Sequence, residues 1–250
     1  MSPFILEAEA LSKDFGGFLA VSGVDLRVRR GTIHALIGPN GAGKTTVFNL
    51  LTKFLQPSKG RITYNERDIT RLRPAVVARL GMVRSFQISA VFPYLTVREN
   101  VRVALQRRTG TSFHFWRKGR TLDSLNERAD ALIASVGLSD FTHELAADLA
   151  YGRRRALEIA TTLALEPELL LLDEPMSGLG REDIGRVSEL IRKVGRSHTV
   201  LMVEHNLSVV AALSDTITVM ARGQVLAEGP YAQVSKNPEV RAAYMGSTHA

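Results

Sequence analysis

The residues with the clearest chemistry lie in the segment 38–46, whose glycines and lysine follow the pattern G-x-x-x-x-G-K-[ST]. In such a loop the backbone N–H groups fold around phosphate oxygens, and the helix that follows adds a favourable field. Lys44 can then reach the outer phosphates, and the hydroxyl of Thr45 can hold Mg²⁺. A nucleoside triphosphate site is therefore predicted at Gly38, Pro39, Asn40, Gly41, Ala42, Gly43, Lys44, Thr45 and Thr46.

Two carboxylates at the end of another apolar run would complete such a site. Asp173 and Glu174 directly follow the run 169–172. Phosphoryl transfer needs a carboxylate that holds Mg²⁺ and a group that activates the attacking water. We therefore expect Asp173 to serve the metal and Glu174 to act as general base. His205, just past the apolar run 200–203, is expected to reach the γ-phosphate.

The elements that must position these residues are short buried strands alternating with helices. A continuous apolar run of four or five residues is typical of a central parallel strand, and the carboxyl ends of such strands collect ligands at one edge of the sheet. A helix is expected from Lys44 onward, directly after the first run. The predicted strands are 33–37, 169–172, 200–203 and 216–220.

The remaining sequence predicts a β-rich layer early in the chain and a helical stretch in the middle. Alternating apolar residues indicate half-exposed strands at 4–9 and 24–28, with a short strand at 61–64. Apolar residues at helical spacing predict mostly helix from about 96 to 135. The aromatic and basic loop 109–119 interrupts that stretch, and its sequence fits a surface contact and a packed connection equally well.

Composition narrows the class of protein. The chain has 250 residues, 45% of them apolar, which suffices for one domain with a substantial core. The absence of cysteine excludes disulfides, thiolate metal sites and cysteine nucleophiles. Because no apolar run is long enough to span a bilayer and no signal-peptide pattern is present, we expect a soluble chain. The net charge of +7 favours a solvated surface near anionic lipid or nucleotide over nucleic-acid binding, since no groove-reading motif accompanies it, but charge alone does not decide the function.

Together these segments resemble the ATP-binding subunit of ABC transporters over nearly the whole chain. The segment 171–175 resembles the family's Walker B strand, and the order and spacing of all the motifs agree. The resemblance implies an α/β fold: a P-loop NTPase (ABC ATPase) core with an N-terminal antiparallel β layer and an inserted helical subdomain. It implies one nucleotide-binding domain over 1–250, with the RecA-like core and β layer at 1–86 and 156–250 and the helical signature subdomain at 87–155.

The resemblance also implies roles for particular residues. Phe15 resembles the aromatic residue that stacks on adenine, and Gln87 resembles the glutamine that senses Mg²⁺ and water and links the site to the membrane subunits. The segment 149–153 occupies the place of the signature usually written LSGGQ, so Ala150 and Gly152 are expected to contact ATP. The implied catalytic residues are Glu174, His205 and Gln87, and the implied metal-binding residues are Thr45, Gln87 and Asp173.

Three residues depart from the family's pattern. Ala150 replaces the signature serine, whose hydroxyl would bond the γ-phosphate, and Arg153 replaces the signature glutamine. Gly180 stands in the D-loop, 177–180, where an Asp or Asn usually helps to join two sites. A lost hydrogen bond to a charged group costs about 1.5–3 kcal/mol. We expect these changes to slow, without abolishing, this chain's contribution to one of the two ATP sites of a subunit pair.

Within the family, the chain is most similar to the LivG-type subunits of branched-chain amino-acid importers. The resemblance implies a peripheral subunit on the cytoplasmic face of the inner membrane that hydrolyses ATP, with Mg²⁺, to power import. Its implied partners are a second ATP-binding subunit (the same chain or a paralogue), two transmembrane permease subunits and, indirectly, a solute-binding protein, with no nucleic acid. The segments that carry this similarity are 15–17 with 20–21, 84–87 with 95–101, 157–160 and 243–246.

Several other functions share part of this pattern. ATPases of urea or amide importers and of lipid or lipopolysaccharide exporters have the same core, and the neighbouring subunits would separate them. A soluble ABC ATPase acting on DNA is disfavoured because no long coiled coil is present, and the translation type because only one module is present. A P-loop kinase or GTPase is disfavoured because no N-K-x-D segment appears.

Overall fold

The computed structural model describes residues 2–85, 91–109 and 125–245. The chain divides into two compact units: the first comprises Met1–Arg84, Glu168–Pro175 and Ile191–Ala250, and the second comprises Ser85–Pro167 and Met176–Leu190. The predicted helical subdomain, 87–155, lies within the range of the second unit, and its limits stay a prediction. Gln87 and nearly all of the loop 109–119 lie outside the described residues.

The strands of the described residues belong to an antiparallel and a mostly parallel sheet. Their bounds are β1 Phe4–Phe15, β2 Phe18–Arg29, β3 Ile33–Ile37, β4 Lys59–Tyr64, β5 Arg67–Asp68, β6 Met82–Ser85, β7 Leu169–Asp173, β8 Thr199–Val203, β9 Thr216–Ala221 and β10 Gln224–Gly229.

The antiparallel sheet has the order β2-β1-β4-β5 and forms the β layer expected early in the chain. β1 and β2 form a hairpin whose turn consists of Gly16 and Gly17, with φ of 64° and 99°. Both strands are longer than the alternating segments 4–9 and 24–28. The pattern missed their full length because the register shifts between Ala8 and Leu11 and again near Lys13, which interrupts the period of two.

The second sheet has the order β10-β9-β3-β8-β7-β6. Every residue of β3, β7 and β8 is buried, as expected for strands covered on both faces. β3 pairs in parallel with β8 and β9, β7 pairs in parallel with β8, and β10 is antiparallel to β9. The carboxyl ends of β3, β7 and β8 therefore meet at one edge, where the predicted phosphate loop, acidic pair and histidine begin.

Helices connect the strands of the first unit and make up much of the second. None of the helices in the described ranges is long and apolar enough to cross a membrane. Their bounds are α1 Lys44–Leu51, α2 Pro74–Arg79, α3 Val97–Thr109, α4 Asn126–Ser135, α5 Tyr151–Leu163, α6 Arg181–Gly195, α7 Leu207–Leu213, α8 Tyr231–Val234 and α9 Pro238–Met245, with a short 3₁₀ turn at Ser139–Phe141.

Helix α1 is anchored in the core of the first unit. Val47, Phe48, Leu50 and Leu51 have no exposed surface and pack in one cluster with residues of both sheets. Burying side chains of this size stabilises the fold by about 1.5–3 kcal/mol each. The start of α1, and with it the end of the phosphate loop, is therefore held in a fixed position.

Lys53 is an unusual residue just beyond the end of α1. Its φ of 66° lies in the left-handed region, which glycine normally occupies at this position after a helix. Its side chain is 3% exposed, and its Nζ has no hydrogen-bond partner among the described residues. Burial lowers the pKa of Lys53 to about 8, against the opposing effect of the Asp68 carboxylate. The ammonium form is therefore less stable in the folded protein than in the unfolded chain, although it still predominates at pH 7.

We expect Lys53→Met to raise the free energy of unfolding at pH 7 by about 2 kcal/mol, because it keeps the buried stem and removes an unpaired charge. Since the pKa is lower in the folded state, the wild type gains stability as pH rises from about 8 toward 10.5, whereas the variant lacks this gain. Urea unfolding at pH 7 and pH 10 measures both effects. The exposed Lys236→Met is the control, and a destabilised Lys53→Met at pH 7 would contradict the interpretation.

Candidate functional site

The phosphate loop connects β3 to α1, and its conformation depends on glycine. Gly38, Gly41 and Gly43 have φ of 153°, 76° and 96°. A Cβ atom on Gly38 would lie 2.2 Å from the carbonyl oxygen of Met220, and one on Gly43 would lie 2.8 Å from that of Ala20. No side chain fits at these two positions, so the spacing of glycines in the sequence reflects real close approaches.

Lys44 lies folded across this loop. Its Nζ donates hydrogen bonds to the carbonyl oxygens of Gly38, at 2.7 Å, and Pro39, at 2.9 Å. Burial lowers the pKa of Lys44, and the negative charge of Glu174 opposes that effect. The loop therefore contains a partly desolvated cation that two backbone carbonyls orient.

Asp173 ends β7 and is 2% exposed. Its Oδ2 accepts a hydrogen bond of 2.5 Å from Nη2 of Arg84, on β6. Nη1 of the same guanidinium donates to Oδ1 of Asn49, on α1, at 2.6 Å. Arg84 thus connects the helix of the phosphate loop to the carboxylate that was predicted to serve the metal.

Glu174 follows Asp173 in a strained backbone conformation. Its φ of 45° lies in the left-handed region, which costs a non-glycine residue about 1–3 kcal/mol. Its N–H donates to the carbonyl oxygen of Val203 at 2.9 Å, so the turn is tied to the end of β8. Its carboxylate is close enough to Lys44 to influence the pKa of that amine. These contacts direct Glu174 to the edge of the sheet where the phosphate loop lies.

His205 is exposed just beyond β8, and a buried carboxylate shapes its turn. Glu204 is 0% exposed, and its Oε2 accepts hydrogen bonds from the N–H groups of His205, at 2.8 Å, and Asn206, at 2.9 Å. The side chain of Asn206 in turn caps α7 by accepting from Val209 N–H. Glu204 therefore holds the backbone from which His205 projects.

Phe15 ends β1 and is 47% exposed. Nζ of Lys13 lies 5.1 Å from the centre of its ring and donates to the carbonyl oxygen of Gln56 at 3.0 Å. The Gly16–Gly17 turn follows directly. An exposed ring with a cation fixed beside it provides a flat surface on which a purine base can stack.

The signature segment lies at the start of α5 in the second unit. Ala150 is the N-cap residue and provides no side-chain cap, because its methyl group has no acceptor. Gly152 lies against Asp183, so that a Cβ atom there would be 2.3 Å from the Asp183 Cγ. The hydroxyl of Tyr151 donates to the carbonyl oxygen of Ser177 at 3.3 Å, which connects this segment to the D-loop.

The other two departures have simple local environments. The guanidinium carbon of Arg153 lies 4.0 Å from the centre of the Phe141 ring, where it forms a cation–π contact within the second unit. The carbonyl oxygen of Gly180 accepts from Ile184 N–H at the start of α6, and a Cβ atom on Gly180 would meet no atom within 4 Å. No steric constraint therefore requires glycine at position 180.

The structure brings the predicted residues of the first unit to one sheet edge: the loop 38–46, Asp173, Glu174 and His205 follow strands whose ends adjoin. Gln87 lies outside the described residues. Sequence reasoning missed Arg84, Asn49 and Glu204. No local signal indicates the contacts of Arg84, since its partners are 35 and 89 positions away.

Asp173 and Thr45 are suited to hold Mg²⁺ together with the phosphates of a bound nucleotide. Mg²⁺ is usually bound by one or two carboxylates together with substrate phosphates, rather than by an all-protein cage. Asp173 is a buried carboxylate, Thr45 offers an exposed hydroxyl, and the described residues contain no cluster of three or more His, Cys, Asp or Glu that could hold a metal. The residues present suit a metal that arrives with phosphates.

The model of the family described as ABC transporter matches residues 21–177, which is more than half of the chain. The chain belongs to the ABC transporter family. A second model, described as branched-chain amino acid ATP-binding cassette transporter, matches residues 224–250. As predicted from its motifs, the chain is an ABC ATPase.

Relatives match nearly the whole chain. It is 41% identical over 256 residues to the high-affinity branched-chain amino acid transport ATP-binding protein BraF of Pseudomonas aeruginosa, covering 98% of this chain and 99% of that protein. It is 40% identical over 253 residues to the corresponding protein LivG of Salmonella typhimurium, with the same coverage. The predicted resemblance to LivG-type subunits is confirmed.

A solved structure of an ABC transporter's ATP-binding cassette, in its ADP conformation, has a similar fold. It is 30% identical, has a TM-score of 0.86, and the match covers 98% of this chain and 100% of that one. The predicted fold class, an α/β ABC ATPase core with an N-terminal antiparallel layer, is confirmed. The subdivision into core and helical subdomain and the roles of the individual site residues stay predictions.

Proposed function

We propose that this ABC ATPase powers the import of branched-chain amino acids. The observation that carries the proposal is its similarity over the full length to BraF and LivG, together with the match of residues 224–250 to a model of the branched-chain class. In this role the chain acts as a peripheral subunit on the cytoplasmic face of the inner membrane. It works with two permease subunits, which form the pore, and with a solute-binding protein that delivers the amino acid.

ATP binds along the sheet edge of the first unit. Adenine stacks on the exposed face of Phe15, and the backbone of the loop 38–46 surrounds the phosphates. Lys44 turns from the carbonyls of Gly38 and Pro39 toward the outer phosphates. Thr45, Gln87 and Asp173 would hold Mg²⁺, which neutralises charge on the phosphates when it is bound.

Hydrolysis depends on the acidic and imidazole groups beside this loop. Glu174 takes a proton from the attacking water through its carboxylate, and its strained but tied backbone keeps that group in place. His205 contacts the γ-phosphate from the turn that Glu204 holds. The adjoining ends of β3, β7 and β8 support this grouping of residues.

A second ATP-binding subunit completes each site. The first N–H groups of α5 have no partner within the helix, so the signature segment of one subunit can offer them to the γ-phosphate held by the other. Since Ala150 lacks a hydroxyl, these backbone groups and Gly152 make that contact. ATP holds the pair together, hydrolysis releases it, and the segment containing Gln87 passes the movement to the permease subunits.

The test is ATP hydrolysis by the complete complex in lipid vesicles. The ATPase subunits and ATP are inside the vesicles, and the solute-binding protein is supplied outside. We expect leucine, isoleucine or valine to stimulate hydrolysis and to accumulate in the vesicles, and urea to do neither. Stimulation by urea alone, or transport in the opposite direction, would refute the importer assignment. A subunit that hydrolyses ATP but never joins permease subunits would refute a role in transport.

Gly152→Ala tests the signature contact. The added methyl group would lie 2.3 Å from the Asp183 Cγ, and either this carboxylate or the start of α5 must shift. We expect ATP hydrolysis by the complex to fall about tenfold, because displaced donors stabilise the transition state less well. Binding of ATP to the isolated subunit should not change.

Gly185→Ala, on α6, is the control for this change, because a Cβ atom there meets no atom within 4 Å. We expect that variant to hydrolyse ATP at the wild-type rate. Wild-type hydrolysis by Gly152→Ala as well would contradict the close approach of this residue to ATP.

A further inference from the structure

Arg84 occupies a position that the proposed ATPase mechanism does not use. It lies on β6, at the edge of the six-stranded sheet and three positions before Gln87 in the sequence. Its side chain is 12% exposed, and that of Asp173 is 3% exposed. A buried ion pair of this kind needs good geometry, because both charges have lost most of their water.

The geometry of the guanidinium is fixed on several sides. Nη2 donates to Asp173 at 2.5 Å, and Nη1 donates to Asn49 at 2.6 Å. The guanidinium carbon lies 5.2 Å from the centre of the Phe48 ring and 5.7 Å from that of Phe54. Two acceptors and two aromatic rings hold the planar group in one orientation, which lysine could not reproduce.

Such a contact orients the carboxylate as well as the arginine. Because Oδ2 of Asp173 is held by Nη2, rotation of the carboxylate is restricted and its second oxygen is also placed. Groups that hold metal-ligating carboxylates in this way commonly change metal affinity by about 10–100-fold when they are removed. The second acceptor, Asn49, belongs to the helix that begins with the phosphate loop, so both parts of the site share one anchor.

We propose that Arg84 is a positioning residue: it holds Asp173 in the orientation that receives Mg²⁺ with ATP and keeps it aligned with α1. This inference rests on the proposed role of Asp173 in MgATP binding. Arg84 touches neither nucleotide nor water in this role. It acts on the metal site through the carboxylate of Asp173, and its contact with Asn49 ties that carboxylate to α1.

The test measures binding rather than hydrolysis. The dissociation constant of a non-hydrolysable ATP analogue is determined for wild type and Arg84→Gln, once in excess Mg²⁺ and once in EDTA. We expect Arg84→Gln to bind the analogue in EDTA within about twofold of wild type, since the phosphate loop is intact, and to lose about tenfold or more of the gain that Mg²⁺ provides. Arg84→Lys should recover only part of this gain.

The exposed Arg79→Gln, on α2, controls for the loss of a positive charge and should keep the full gain. If Arg84→Gln keeps the gain, or binds more tightly in Mg²⁺, the positioning role is wrong. If the wild type shows no gain from Mg²⁺, the proposed role of Asp173 fails and the inference fails with it.

Thermal unfolding without nucleotide tests the pair independently of any ligand. We expect Arg84→Gln to lower the melting temperature by roughly 5 °C or more when Asp173 is present, because a buried carboxylate loses its counter-ion. In an Asp173→Asn background the same change should have a much smaller effect. Equal shifts in the two backgrounds would show that Arg84 does not act through Asp173.

Discussion

Glu174→Gln should bind ATP as the wild type does and hydrolyse it about a thousandfold more slowly, because the loss of a general base typically costs 10²–10⁴-fold in rate. The amide has nearly the same shape as the carboxylate, and it leaves the hydrogen bond from residue 174 N–H to Val203 unchanged. The φ of 45° is equally unfavourable for both side chains, so the strain in the turn is the same. What the variant loses is the capacity to accept a proton.

Single-turnover hydrolysis in the assembled complex measures this loss directly, because it separates chemistry from product release. Glu9→Gln, an exposed change on β1, is the control for the loss of one negative charge. We also expect the nucleotide-bound pair of subunits to live longer in Glu174→Gln, since hydrolysis no longer releases it. Hydrolysis by Glu174→Gln at the wild-type rate would show that Glu174 is not the general base.

The parts of the site that sequence alone predicted are local in the chain. The loop 38–46 is contiguous, and its function depends on backbone groups, so the positions of its glycines nearly determine its shape. The buried strands were equally predictable, because a strand covered on both faces must be apolar throughout. Asp173 ends one of these strands and His205 comes just after another. Their location at the carboxyl edge of the sheet could therefore be predicted from the sequence.

The parts that sequence could not predict depend on pairs distant in the chain. Arg84, Asn49 and Asp173 are brought together by the order of strands in the sheet, and nothing in their local sequence indicates this contact. Glu204 and Lys53 break the usual rule that charged side chains are exposed. Glu204 is satisfied by two N–H groups of its own turn, and that geometry exists only once the chain has left β8.

The predicted lengths of β1 and β2 were too short for a related reason. The alternation that indicated strands at 4–9 and 24–28 ends where irregularities shift the β1–β2 register, yet the hydrogen bonding continues to the Gly16–Gly17 turn. A period of two detects a regular ladder and misses one that is interrupted. This extension matters for the proposed site, because Phe15, which we propose stacks on adenine, lies at the far end of β1.

Lys44→Ala should weaken ATP binding about a hundredfold, which corresponds to about 3 kcal/mol. Two effects contribute. The variant loses charge-assisted hydrogen bonds to phosphate oxygens, each worth about 1.5–3 kcal/mol. It also loses an amine that the carbonyls of Gly38 and Pro39 hold within the loop, and from which burial, which lowers its pKa, has already removed part of the water. Less water then has to leave this amine when ATP arrives, and its hydrogen bonds to the two carbonyls are exchanged for bonds to phosphate oxygens.

Lys44→Arg separates charge from position. It keeps the positive charge, but its larger planar group does not fit where a compact amine contacts the carbonyls of Gly38 and Pro39 at 2.7 and 2.9 Å. We expect its affinity for ATP to lie well below that of the wild type, whereas the exposed Lys236→Ala should bind normally. Equilibrium titration with a fluorescent ATP analogue, well below the melting temperature, measures all three. Full affinity in Lys44→Arg would mean that charge alone suffices, and full affinity in Lys44→Ala would contradict the assignment of this loop to phosphate.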